Sequence, residues 1–155
     1  MIVRAFIVDG PVTSDAERLL LTRDATTEDP RQGPGLVGAR VRFEGIVRLE
    51  EPRGDAHSGE RAAVGELAAL AYTAYEPMAT GELERIASEV GAAFGVEAMF
   101  VLHSRGRVGV GEVSFVLIIE SAHRGPALRA MSEFIDRMKR DVPIWKMPVW
   151  AAKRG

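Results

Sequence analysis

The sequence contains no cysteine. Disulfides, thiolate metal sites and cysteine nucleophiles are therefore excluded together. Histidine is scarce: His57, His103 and His123 stand far apart, without HExxH-type spacing, so no metal is expected. There is no basic excess either. A net charge of -2 and a pI near 6.0 argue against a general nucleic-acid binder. Long apolar runs are missing as well. The opening MIVRAFIV is too short to span a bilayer and carries no signal-peptide cleavage pattern, so a cytoplasmic location is expected. The stretch GRVGVGE (106–112) is glycine-rich but fits neither GxGxxG nor GxxxxGK[ST]. It reads as a turn between strands rather than a phosphate cradle.

What remains is a chain of 155 residues, 46% hydrophobic and 27% charged. That suits one domain over residues 1–155 with a real core. Charge is unevenly spread. Residues 1–35 hold four Arg against six acids, and residues 121–155 hold eight Lys or Arg against three. Such a basic end is either a solvated face or a surface that steers an anionic small molecule.

Periodicity orders the elements. IVRAFIV (2–8) reads as a strand, and Ser14 with Glu17 fits a capping box before a short helix. The polar stretch 24–35 is a loop. Residues 37–48 alternate as a half-buried strand until Gly45 breaks the pattern, as at a bulge. Residues 49–63 have no apolar period and read as a mobile loop, and 64–75 as the return strand. A helix over 80–95 is expected to start at Thr80 and stop at Gly95. Strands follow at 96–103 and 112–120, the latter apolar on consecutive positions and so covered on both faces. The last helix spans 126–140, with Leu128, Met131, Ile135 and Met138 on its apolar face and Phe134 beside them. Pro143 ends the helical run and IWKMPVW (144–150) is extended. The order predicts an α+β fold, with helices packed on a largely antiparallel sheet.

Two places carry candidate chemistry. SAHRGP (121–126) joins a buried strand to a helix, so backbone N–H groups and the positive helix end face outward. His123 and Arg124 are there either an anion site or a capping histidine beside an exposed arginine. Lys139 and Lys146 lie at the other end of the helix and beyond it. On pattern alone Lys146 is a surface lysine whose stem covers apolar surface. Grouped with Arg48 and Arg124, the lysines would be crowded enough to act as acid, base or nucleophile.

GARVRFEGIVR (38–48), AYEPMA, SAHR and DRMKRDVPIWK occur in an order and spacing that resembles the molybdopterin synthase large (catalytic) subunit, over residues 37–147. The resemblance implies an α/β hammerhead-like fold with an added small antiparallel subdomain. It implies a homodimer, forming a heterotetramer with a small ubiquitin-like sulfur carrier whose Gly-Gly C-terminus is a thiocarboxylate. It implies sulfur transfer to cyclic pyranopterin monophosphate, giving molybdopterin, as a step of molybdenum cofactor biosynthesis with no resident cofactor. Carried over by motif, Phe43, Arg48, His123 and Arg124 are substrate-binding and Lys139 and Lys146 catalytic. Loop 49–63 would cover the pocket once the carrier tail enters. The family usually follows WK with a basic residue and a glutamate, whereas Met147 and Pro148 follow here. That departure motivates an alternative: a catalytically weakened paralogue that binds the carrier or a pterin.

Overall fold

The apolar runs of the sequence become the central strands of one sheet. The computed structural model describes residues 1–21, 34–53 and 63–152. In chain order it has β1 (Ile2–Asp9), α1 (Ser14–Leu21), a 3-10 turn (Pro34–Leu36), β2 (Ala39–Ile46), β3 (Glu50–Arg53), β4 (Ala63–Ala74), α2 (Met78–Phe94), β5 (Ala98–Gly109), β6 (Val113–Ser121), α3 (Arg124–Asp141) and β7 (Ile144–Trp150). The sheet runs β2-β6-β5-β4-β3, with β1 on β5 and β7 on β4. All these pairings are antiparallel except β1 with β5. The expected α+β class is what forms.

Period-two alternation divides β5 and β6 between two cores. Met99, Val101, Leu117 and Ile119 face α2 and α3. Ala98, Phe100, Leu102, Val116 and Ile118 face α1 through Leu20. This is why β6 is apolar at consecutive positions. α2 contributes Leu83, Ile86, Ala87 and Val90 to the first core and ends at Gly95, whose φ of 63° is the left-handed conformation that glycine adopts without strain. Among the described residues no helix is long and apolar enough to cross a membrane.

Several boundaries differ from the sequence reading, each for a local reason. α1 is capped by Thr13 rather than Ser14, with the Ala16 N–H donating to Thr13 Oγ1 at 3.4 Å. α2 starts at Met78, so Thr80 lies inside the helix and donates its hydroxyl to Glu76 Oε1 at 2.8 Å. The glycine-rich stretch is partly strand: β5 continues to Gly109, and its segment 106–109 leaves β6 to pair with β4. Residues 50–53 of the expected loop 49–63 form β3, an edge strand against β4, and residue 63 already belongs to β4; residues 54–62 lie outside the described residues. The buried face of α3 is Ala127, Ala130, Phe134 and Met138, while Leu128 is exposed. Two alanines bring the helix close to the sheet and turn Leu128 outward.

Candidate functional site

Three elements meet at one end of the sheet. After Gly45 the β2–β6 register shifts. A Cβ at Gly45 would stand 3.2 Å from Phe115 Cβ, so glycine lets the strand pass close there. The chain then buries Val47 and sends out Arg48. From the opposite side comes the last turn of α3, carrying Met138 and Lys139. β7 returns antiparallel along β4, with Lys146 opposite Tyr72.

Between them lies a cavity of about 750 Å³. Phe43, Arg48, Lys139 and Lys146 all line it. Ile135, Met138, Val142 and Ile144 supply an apolar wall, and Phe43 and Phe115 an aromatic one, their centroids 6.0 Å apart. Trp145 alternates away from this space and is exposed. Four of the six site residues named from the sequence are therefore neighbours. His123 and Arg124 are not among the lining residues. Arg124 opens α3 and Lys139 nearly closes it; fifteen residues of helix separate them by about 22 Å. The His123 side chain makes no capping hydrogen bond.

The cavity also holds residues that the sequence did not single out. Tyr72 donates its hydroxyl to Ser114 Oγ at 3.0 Å, and Ser114 donates to the Gly45 carbonyl at 3.1 Å. This chain fixes the floor against the bulge. His103 sits between Tyr72 and Phe115, at ring distances of 5.4 and 5.7 Å. Its Nδ1 is 2.9 Å from the Ser104 carbonyl oxygen. A carbonyl only accepts, so Nδ1 carries the proton. Glu51, on β3, accepts from both Arg48 Nη2 and Lys146 Nζ, each at 3.2 Å and through the same oxygen. Burial alone would raise the Glu51 carboxyl; the bonds from Lys146 and Arg48 outweigh it and hold it below the usual range. Among the described residues Lys139 has no hydrogen-bond or ion-pair partner. Glu51 had no motif to mark it, and His103 was one of three scattered histidines.

Burial pushes the His103 imidazole below its ordinary value, and its bond to Ser104 only partly offsets this. The unfolded chain takes up this proton near pH 6.5, while the folded chain resists it. Stability is thus fully present above about pH 6.5 and falls as pH drops toward the lowered folded value. We expect thermal midpoints measured from about pH 7.5 to pH 5.5 to fall less steeply for His103→Gln than for the unaltered protein. Equal slopes would remove His103 as the cause.

A sequence model of the MoaE protein family matches residues 21–141. The chain is 41% identical over 81 residues to the molybdopterin synthase catalytic subunit of Homo sapiens, covering 52% of this chain and 43% of that protein. It is 33% identical over 115 residues to the Mesorhizobium japonicum protein of the same name, covering 74% of this chain and 64% of the relative. The matched region thus spans less than two thirds of these relatives' own length. Molybdopterin synthase from Staphylococcus aureus superposes with a TM-score of 0.68 at 26% identity, over 96% of this chain and 95% of that one. A Helicobacter pylori chain from the complex of subunits 1 and 2 of molybdopterin-converting factor gives 0.62 at 24%, over 97% and 92%. At that identity the second likeness speaks to the fold.

Proposed function

Because the chain belongs to the MoaE protein family, we propose that it is the catalytic half of a sulfurtransferase acting in the cytoplasm. It takes sulfur from the thiocarboxylated C-terminus of a small ubiquitin-like carrier. Two such sulfurs pass in turn to cyclic pyranopterin monophosphate, giving the dithiolene of molybdopterin. The Helicobacter relative is seen together with a second subunit, which supports a protein partner here.

One observation carries the reading: three cations, Arg48, Lys139 and Lys146, reach a single cavity that also has apolar and aromatic walls. Both reactants are anions, and two anions approach each other only where positive charge is already fixed. The flat pterin suits the aromatic wall of Phe43 and Phe115. Lys146 contacts the carrier's terminal carboxyl group. Lys139, with no competing partner among the described residues, serves the reacting atoms as general acid/base or electrostatic stabiliser while the thiocarboxylate sulfur attacks a side-chain carbon and that carbon's oxygen leaves with a proton; water then cleaves the acyl–sulfur bond and frees the carrier as its carboxylate. The weakened-paralogue alternative is less favoured, since both lysines and Arg48 line the cavity despite Met147 and Pro148. Purified protein mixed with thiocarboxylated carrier and the pyranopterin precursor should form the dithiolene. Carrier binding without product would instead support the paralogue.

His123 and Arg124 remain in this proposal as contacts to the substrate phosphate. About 22 Å of helix means they reach a cavity only from the second protomer of a homodimer. Lys139→Ala and Arg124→Ala, each weak alone below saturating substrate, should therefore complement when co-expressed. Random pairing makes half the dimers mixed, each with one intact site, so about a quarter of normal activity should return. No recovery would confine Arg124 to another role.

A further inference from the structure

Glu51 puts a negative charge where the proposed reaction needs positive charge. Strand alternation aims Glu51 into the cavity, and the residue opposite it on β4 is Gly65, which adds no side chain. A single oxygen, Oε1, takes hydrogen bonds from two cations, one in the link between β2 and β3 and one on β7. Arg48 is its near neighbour in sequence; Lys146 lies 95 residues away on β7. The Glu51 side chain is 17% exposed, whereas those of Arg48 and Lys146 are 72% and 54% exposed. The carboxylate is thus the inner member of the trio, and the cations close over it from the solvent side.

This is the arrangement an external carboxylate or phosphate oxygen would adopt on the same two donors. We propose that Glu51 is a specificity-determining residue: a resident counter-ion seated in the anion position of the cavity, which an incoming anion must displace. The inference rests on the reading of this cavity as the entry site of the carrier tail. A free anion competes with Glu51 at its bulk concentration. A tail delivered by a docked protein competes at the far higher effective concentration of an intramolecular partner. Glu51 therefore holds the two cations in place, keeps small cellular anions off them, and yields to a tethered terminus. It also supplies a carboxylate partner to Lys146 within a chain whose own β7 carries none.

The test uses the whole protein at low ionic strength, with two probes titrated separately. One is inorganic phosphate. The other is a synthetic peptide ending in Gly-Gly with a free carboxylate, alongside its C-terminal amide. Glu51→Gln keeps the shape and removes the charge. It should bind phosphate and the free-carboxylate peptide about threefold to tenfold more tightly than the unaltered protein, with the amide unchanged. The gain should vanish when Lys146→Met is added. Phosphate bound no more tightly by Glu51→Gln, or by Glu51→Ala as a second variant, overturns the proposal. The peptide arm separates the two readings. Phosphate tightened in Glu51→Gln, with neither protein distinguishing free carboxylate from amide, supports the counter-ion while the carrier-tail reading fails.

Discussion

Lys139→Ala should lower dithiolene formation by about a hundredfold or more while leaving the fold intact. The side chain is exposed at the end of α3 and holds no partner among the described residues, so its loss costs little stability. Among the described residues, however, the cavity loses the one lining Lys or Arg not already engaged by Glu51. Lys139→Arg distinguishes the two chemical roles. Arginine keeps the charge but does not give up a proton near neutral pH. Substantial activity in Lys139→Arg means electrostatic stabilisation; activity as low as in Lys139→Ala means proton transfer. Near-normal turnover in Lys139→Ala would refute the role altogether. Lys146→Ala should differ in kind: with its proposed contact to the bound terminus removed, KM for the carrier should rise more than kcat falls.

The second large effect is on stability. Phe134→Ala should cost about 3–5 kcal/mol and lower the melting temperature by about 10 °C. The ring is fully buried in the core between α2, α3 and the sheet. Its removal leaves a cavity in a core whose packing closes only partly around it. The helix it pins also carries Met138 and Lys139 into the site, so activity should fall with stability. Leu128→Ala, on the same helix, should change stability by no more than about 0.5 kcal/mol, since Leu128 is exposed. Comparable losses for the two variants would mean that the burial assigned to α3 is wrong. Denaturant unfolding monitored by circular dichroism reads both.

The same helix marks how far the sequence carries. Its existence and its end before Pro143 were legible, because a proline one turn beyond an amphipathic run is a strong stop. Its buried face was not. Leucine outweighs alanine in any reading by hydrophobicity, yet close approach to a sheet selects the small residue. Gly45 and Gly95 were legible because backbone geometry singles out glycine at a bulge and at a left-handed helix end. β3 was not, because EEPR has neither alternation nor β-branched residues; only its pairing with β4 makes it a strand.

The site divides in the same way. Phe43, Arg48, Lys139 and Lys146 came from motifs, and all line one cavity. Motif spacing says nothing of which end of a helix faces a cavity, so His123 and Arg124 were grouped with Lys139, about 22 Å away along α3. Glu51, Tyr72, His103 and Ser114 are long-range partners: the Glu51–Lys146 contact spans 95 residues and Tyr72–Ser114 spans 42. Such pairings are properties of the folded sheet.

The most direct measurement is a structure of the protein with the carrier bound. The terminal glycine carboxylate should lie within hydrogen-bond distance of Lys146 Nζ, close to Lys139, with the Glu51 side chain turned away from Lys146. A tail seated elsewhere on the surface, with Lys139 and Lys146 facing only water, would contradict the account.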